Sequence, residues 1–135
     1  MSRVVLITGA TSGYGLATAK LFKQNGDTVI IASRNEAKVN KTVNDYGFAA
    51  GYKLDVTNYC EWVEVKEKIS SDFGTVDVLI NNAGGGVSLA STVEQTKETI
   101  DEAIALNLSS AIYGANVFAP DMIKNNAKIR IGILN

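Results

Sequence analysis

The sequence contains no histidine, one cysteine and one proline. Without histidine, a His-based catalytic triad and a His-based metal site are excluded. Cys60 cannot form an internal disulfide, so a reducing cytoplasm is the expected compartment. The formal net charge of −1 offers no basic face for nucleic acid or an anionic membrane surface. The amino-terminal apolar run 4–7 is too short for a signal peptide or a membrane span. From the charge and the length of this run together, we expect neither nucleic-acid nor membrane partners.

The composition and the pattern of apolar residues are typical of an α/β protein. The 135 residues, 46% of them apolar and 20% charged, fit one domain spanning residues 1–135. Short aliphatic runs alternate with longer stretches of helical periodicity, which predicts a parallel sheet. The predicted strands are residues 4–8, 28–33, 49–55, 76–81 and 129–134. The predicted helices are 13–25, 35–46 and 58–73, each followed by a glycine, and a fourth helical region that begins near Thr92 and kinks toward Pro120.

A glycine-rich run connects the first strand to the first helix. It reads Thr8-Gly9-Ala10-Thr11-Ser12-Gly13-Tyr14-Gly15. A strand, a tight turn and a helix place free backbone N–H groups and the positive end of the helix dipole where a pyrophosphate can bind. The spacing G-x-x-x-G-x-G has a longer first gap than the usual G-x-G-x-x-G fingerprint. The run still predicts a dinucleotide site, and its candidate ligands are Gly9, Thr11, Ser12, Gly13, Tyr14 and Gly15.

The end of the second strand, Ser33-Arg34-Asn35, addresses the choice of cofactor. An acidic residue here would accept a hydrogen bond from a ribose 2′-hydroxyl, whereas an arginine would bind a 2′-phosphate. No acid ends the strand, and Glu36 lies inside the following helix, so the sequence favours NADP over NAD. The alternative for Arg34 is a solvated charge at the start of a helix.

Two more groups follow strands at the carboxyl edge of the sheet, where open α/β sheets bind ligands. After the third strand, Asp55 precedes Val56 and is suited either to accept from an adenine amino group or to cap the following turn. After the fourth strand the sequence reads Asn81-Asn82-Ala83-Gly84-Gly85-Gly86. Its small residues let a ribose and a nicotinamide approach the backbone, and its asparagines suit either cofactor contact or bracing of the sheet.

These residues together resemble the short-chain dehydrogenase/reductase family. The matching segments are Thr8 to Gly15 for T-G-x-x-x-G-x-G, Asp55-Val56, Asn81-Asn82-Ala83-Gly84 for N-N-A-G, and Leu106-Asn107-Leu108 followed by Pro120 and Met122. The resemblance covers the whole chain, which corresponds to about the first half of a typical member. It implies a Rossmann-like doubly wound parallel sheet of five strands in order 3-2-1-4-5, a nicotinamide cofactor, and hydride transfer between an alcohol and a carbonyl compound.

The same resemblance implies a catalytic set that is largely missing. The family's general acid/base is a tyrosine with a lysine four residues later, and none of the five tyrosines here has a lysine at that spacing. Asn135 stands at or near the position of the family's catalytic serine. Asn107 remains as a vestigial catalytic residue that would help to hold a water in a proton relay, and its alternative role is a bond to its local backbone.

The sequence therefore predicts an NADP(H)-binding module, truncated after strand five and unable to transfer hydride unaided. Two alternatives stay open: a stand-alone NADP(H)-sensing regulatory module, and a half-enzyme complemented by a second chain that carries the tyrosine and lysine. The apolar fifth strand would form an edge of the sheet, and such an edge invites pairing with another strand. We therefore expect a homo-oligomer, or edge pairing with another chain.

Overall fold

Parallel pairing of short apolar strands organises the structure, a computed structural model that describes residues 2–125 and 130–133. The strands are β1 (Val4–Thr8), β2 (Thr28–Ser33), β3 (Ala50–Lys53), β4 (Val78–Asn81) and β5 (Arg130–Ile133). They form one sheet in the order β3-β2-β1-β4-β5, with every neighbouring pair parallel. The predicted Rossmann-like α/β arrangement is confirmed, with the order 3-2-1-4 over the first four strands.

Among the described residues, five α-helices connect and follow the strands. They are α1 (Gly13–Gln24), α2 (Glu36–Tyr46), α3 (Tyr59–Phe73), α4 (Lys97–Ile104) and α5 (Ser110–Lys124). Asparagine side chains cap two of them, because Asn35 accepts from the N–H of Lys38 at 3.0 Å and Asn58 accepts from that of Glu61 at 3.3 Å. In the part of the chain with described structure, no helix is both long and apolar enough to cross a bilayer.

The fourth helical region changes from α-helical to π-helical hydrogen bonding well before Pro120. A 3₁₀ turn at Thr92–Glu94 precedes α4, and a π-helical turn at Ala105–Ser109 separates α4 from α5. Helix α5 continues through Pro120 to Lys124. After the 3₁₀ turn, helical structure runs without a gap from Lys97 to Lys124, and the kink toward the proline stays a prediction. The π-helical turn surrounds Asn107, and turns of this kind recur at functional sites.

Apolar side chains bury both faces of the sheet, as the near-continuous aliphatic strands require. Along β1, Leu6 points to the side covered by α3 and α5, while Val5 and Ile7 point to the side covered by α1 and α2. Trp62 of α3 is 1% exposed, and its Nε1 donates to the carbonyl of Val56 at 2.9 Å. This bond fixes the loop after β3 to the helix that follows it.

Charged groups hold the amino-terminal edge of the sheet, opposite the glycine-rich run. Arg3 donates two hydrogen bonds to the Asp27 carboxylate, from Nε to Oδ1 at 2.9 Å and from Nη2 to Oδ2 at 2.7 Å. Asp77 accepts from the N–H of Val4 at 2.8 Å. The Asp27 side chain is 5% exposed and that of Arg3 is 40% exposed, so the carboxylate is shielded from water while the guanidinium is partly solvated.

Acid should weaken the fold through Asp27. The hydrogen bond from Arg3 lowers the pKa of Asp27 below its ordinary value, because the guanidinium stabilises the ionised carboxyl. A carboxyl whose folded pKa lies below its unfolded pKa contributes stability above the unfolded value of about 3.9 and loses it as the pH falls through the folded pKa. We therefore expect Asp27→Asn to lower the free energy of unfolding at neutral pH, with the difference shrinking from about pH 5 toward pH 1.

Urea denaturation of both proteins across this pH range measures the effect. Asp45→Asn is the matched control, because Asp45 pairs with Lys41 on the exposed surface of α2 and its side chain is 49% exposed. We expect little change from this control at any pH. A wild-type advantage over Asp27→Asn that is the same at every pH would contradict the assignment.

Candidate cofactor site

The glycine-rich run forms a tight turn between β1 and α1. Gly9 and Gly13 have positive φ angles of 64° and 57°, which favour glycine. A Cβ on Gly9 would lie 2.9 Å from the Cα of Ala83. A Cβ on Gly15 would collide with Nδ2 of Asn82 and lie 2.5 Å from the carbonyl oxygen of Gly9. The run is therefore packed backbone to backbone against the segment that follows β4.

The amino terminus of α1 differs from those of α2 and α3. Its N-cap, Ser12, makes no side-chain capping bond, and no acidic residue lies in the first turn. Helices α2 and α3 have asparagine caps and a glutamate in the first turn. The first-turn N–H groups and the positive end of the α1 dipole are thus left without a side-chain partner. A Cβ on Gly13 would meet nothing within 4 Å, so open space lies beside these groups.

Asn82 and Thr8 join the segment after β4 to the glycine-rich run. The Asn82 Nδ2 donates to the carbonyls of Thr8 and Gly9, both at 3.0 Å. The Thr8 hydroxyl, 1% exposed, accepts from the N–H groups of Asn82 at 3.1 Å and Ala83 at 3.0 Å. Of the two roles considered for Asn82, these bonds serve bracing of the sheet.

Asn81 faces helix α5. It is 6% exposed, and its Nδ2 lies 3.4 Å from the carbonyl oxygen of Ala111. A Cβ on Gly114 would come within 2.7 Å of its Oδ1, so the glycine permits the close approach. That Oδ1 has no hydrogen-bond partner among the described residues. Asn81 therefore connects β4 to α5.

Two hollows flank the glycine-rich run. The Tyr14 hollow, about 370 Å³, opens on the β4 side. Its lining is Gly9, Ser12, Tyr14, Asn82, Ala83, Gly84, Gly85 and Asn107. The Arg34 hollow, about 270 Å³, opens toward β2 and β3. Its lining is Gly9, Thr11, Ser12, Ser33, Arg34, Leu54, Val56, Ala83, Gly84 and Leu106. Because the hollows share four residues, they form a two-lobed cleft whose centre is the amino terminus of α1.

The three residues at the end of β2 differ in whether they line the cleft. Ser33 and Arg34 line the Arg34 hollow, and Arg34 is exposed. Asn35 uses its side chain to cap α2 and is not part of either hollow lining. The structure therefore brings Ser33 and Arg34, but not Asn35, to the cleft.

Asp55 caps its own turn. Its Oδ1 accepts from the N–H of Thr57 at 3.0 Å and from the Thr57 hydroxyl at 2.7 Å. The Thr57 hydroxyl bond lowers the pKa of Asp55, and the nearby charges of Arg34 and Lys53 lower it further. The carboxyl therefore stays ionised at neutral pH. Turn capping, one of the two predicted roles, is present, while Val56 beside it lines the Arg34 hollow.

Asn107 clamps the glycine segment after β4. Its Oδ1 accepts from the Gly85 N–H, and its Nδ2 donates to the Gly85 carbonyl, both at 2.9 Å across 22 residues of sequence. The same Nδ2 also donates to the carbonyl of Ala103 at 3.1 Å, which is the local bond considered from the sequence. Sequence reasoning did not identify the clamp on Gly85. The π-helical turn is the local feature that accompanies this clamp.

Comparison with known proteins agrees with this geometry. The profile of the short chain dehydrogenase family matches residues 3–131. The chain belongs to that family. The 3-oxoacyl-[acyl-carrier-protein] reductase FabG of Thermotoga maritima is 37% identical over 126 residues, which are 90% of this chain and 51% of the reductase. The chain spans about half the length of this reductase and of two uncharacterised oxidoreductases of Bacillus subtilis, and 21% of the probable oxidoreductase EphD of Mycobacterium tuberculosis.

Solved short-chain dehydrogenase structures superpose closely. The apo form of LigD from Sphingobium sp. strain SYK-6 is 29% identical, with a TM-score of 0.93 over 98% of this chain and 58% of LigD. A short chain dehydrogenase/reductase from Burkholderia phymatum, solved in complex with NAD, is also 29% identical. It has a TM-score of 0.91 over 98% of this chain and 48% of its own. The resemblance seen in the sequence is thus confirmed.

A nicotinamide dinucleotide fits the cleft of this short-chain dehydrogenase. The amino terminus of α1 has no side-chain cap, and the space beside Gly13 is open, as a phosphate requires. One hollow lies on each side of this point. Chemically, the cleft offers an anion cradle and a cation at Arg34, while the amide groups of Asn82 and Asn107 bond to the backbone around it.

Other elements of short-chain dehydrogenase chemistry lie outside the described residues or outside the printed sequence. Asn135, expected at or near the position of the family's catalytic serine, is not among the described residues, nor are residues 129 and 134 of the predicted fifth strand. The printed sequence contains no Tyr-x-x-x-Lys. Over the ranges 2–125 and 130–133, no three His, Cys, Asp or Glu side chains cluster as metal ligands would.

Proposed function

We propose that this chain binds NADP(H) as the cofactor-binding part of an alcohol/carbonyl oxidoreductase, and that its 135 residues alone do not complete the reaction. The single observation that carries the proposal is the uncapped amino terminus of α1, set between two hollows of which one contains Arg34. The pyrophosphate would lie against the first-turn N–H groups of α1 beside Gly13, where the dipole favours negative charge.

Arg34 supports NADP over NAD. The lining of the Arg34 hollow contains Arg34 and no acidic residue. An arginine binds a 2′-phosphate through charge-assisted hydrogen bonds, whereas a cofactor with a free 2′-hydroxyl is usually held by an acidic residue. The nearby carboxylate of Asp55 uses one oxygen to bind Thr57.

The residues of this chain would position the cofactor. A bound nicotinamide supplies or accepts the hydride. Gly9 and Asn82 fix the wall between the two hollows, and Asn107 holds Gly85 at the nicotinamide side. A proton donor of the Tyr-x-x-x-Lys type is needed in addition, and the printed sequence does not contain one. The name of the Thermotoga maritima relative, a 3-oxoacyl reductase, supports carbonyl reduction as the reaction class.

Titration with NADPH tests the proposal, with cofactor fluorescence as the signal. We expect saturable binding to the wild-type protein. Ser12→Asp is the variant designed to block the phosphate position without harming the fold. An aspartate N-cap satisfies first-turn N–H groups of α1 and places a negative charge where the phosphate would bind. This variant should fold at least as stably as the wild type and lose NADPH binding. No wild-type binding at millimolar NADPH would remove the proposal.

We also propose that residues 1–135 form one domain that self-associates. Strand β5 lies at one end of the strand order. The continuous helical segment from α4 to α5 exposes, at a spacing of four residues along one face, the large apolar side chains Ile100, Ile104, Leu108 and Ile112. An open strand and an apolar face both favour association. Sedimentation velocity should show dimers or larger species, and a monodisperse monomer at high concentration would contradict this.

A further inference from the structure

Tyr14 is an aromatic side chain that the fold itself does not use. It is the second residue of α1 and is 79% exposed. Other tyrosines have partners: Tyr46 stacks on Phe48, and the Tyr59 hydroxyl donates to Asn116 at 2.7 Å. Within residues 2–125, the ring of Tyr14 has no aromatic, cationic or hydrogen-bonding partner. Its exposed position at the cleft favours contact with a ligand over contact with the core.

The position of Tyr14 in the cleft indicates which part of a dinucleotide it would meet. Tyr14 lines one hollow and Arg34 lines the other, with the glycine-rich run between them. Under the proposed function, on which this inference rests, Arg34 marks the adenosine 2′-phosphate. The opposite hollow then receives the nicotinamide half, because the pyrophosphate occupies the shared centre.

We infer that the Tyr14 ring stacks on the nicotinamide ring. Tyr14 is the one aromatic side chain in the lining of its hollow, and the remaining lining is glycine, alanine, serine and asparagine. Such small residues leave room for a flat ring, and an aromatic face gives that ring a matching surface. The oxidised nicotinamide carries a positive charge, which the face of a tyrosine ring attracts. Tyr14 should therefore favour NADP⁺ more than NADPH.

Three ligands and two variants test this by calorimetry. The ligands are NADP⁺, NADPH and 2′-phospho-ADP-ribose, which has no nicotinamide. Tyr14→Leu should weaken NADP⁺ binding roughly five- to hundredfold, weaken NADPH binding less, and leave 2′-phospho-ADP-ribose binding unchanged. Tyr14→Phe keeps the ring and should bind all three ligands like the wild type. Thermal unfolding of both variants should match the wild type, because the side chain is exposed.

The possible failures are distinguishable. Binding of NADP⁺ by Tyr14→Leu with wild-type affinity overturns the inference alone. An equal loss for NADP⁺ and 2′-phospho-ADP-ribose also overturns it, since the tyrosine would then shape the phosphate cradle and not the nicotinamide end. Wild-type protein that binds none of the three ligands overturns the proposed function together with this inference.

Discussion

Replacing Arg34 with alanine should weaken NADPH binding about ten- to hundredfold and leave NADH binding nearly unchanged. A hydrogen-bonded contact between a guanidinium and a phosphate contributes roughly 1.5–3 kcal/mol to binding. NADH has no 2′-phosphate, so it does not make this contact and loses nothing when Arg34 is removed. Arg34 is exposed and lines the Arg34 hollow, so removal of its side chain leaves the core intact. Fluorescence titration of both cofactors measures the ratio of affinities.

Lys68→Ala separates this effect from a change in net charge. Lys68 is an exposed cation on α3, outside the linings of both hollows, and its removal changes the charge of the protein by the same amount. We expect its cofactor affinities to match the wild type. Arg34→Lys should retain part of the NADPH preference, because lysine keeps the charge but not the planar fork. Equal affinity of the wild type for NADPH and NADH would argue against a role for Arg34 in specificity.

Gly15→Ala should be the most damaging single methyl addition in the glycine-rich run. The added Cβ would lie 2.5 Å from the carbonyl oxygen of Gly9 and collide with Asn82. Overpacking costs about 1–3 kcal/mol, and a backbone neighbour that cannot rotate away places this variant near the upper end. We expect a fall of about 3 kcal/mol in the free energy of unfolding, measured with urea, together with loss of NADPH binding.

Gly13→Ala and Gly26→Ala form a matched pair for comparison. Both glycines have positive φ angles, 57° and 84°, and a Cβ on either would meet nothing within 4 Å. Each substitution should cost about 1–2 kcal/mol of stability through backbone strain alone. Only Gly13 lies in the first turn of α1, so only Gly13→Ala should also weaken NADPH binding. Similar binding by these two variants would show that the open space beside Gly13 is not the phosphate position.

Local sequence determines much of this fold. The bounds of β1 and β2 follow the predicted runs, and α2 and α3 begin directly after Asn35 and Asn58, whose side chains cap them. Strand β4 begins at Val78, two residues later than predicted. Asp77 directly precedes the strand, and its carboxylate accepts a hydrogen bond from the N–H of Val4 at 2.8 Å. Strand patterns and helix caps depend on residues that are close together in the sequence, and they were sufficient to predict the bounds of these strands and the starts of these helices.

The remaining features depend on contacts between distant segments. The π-helical turn around Asn107 accompanies bonds to Gly85, which no helical period encodes. Asp55 fitted two roles in the sequence, and the position of Thr57 showed which hydrogen bonds it makes. The sequence predicts that Arg34 and Tyr14 both lie at a cofactor site. It does not show that the site divides into two hollows, because that division depends on the packing of Ala83 against Gly9.

The bonds from Asn82 to the glycine-rich run also determine when the cradle can first exist. The bond from Nδ2 to the Gly9 carbonyl spans 73 residues of sequence, and the bond to Thr8 spans 74. A chain emerging from the ribosome therefore presents its glycines long before it presents the strand that holds them in shape. Pairing over such a separation is a slow event in folding. The cradle therefore cannot form until Asn82 has been synthesised, although the glycines of the motif are made first.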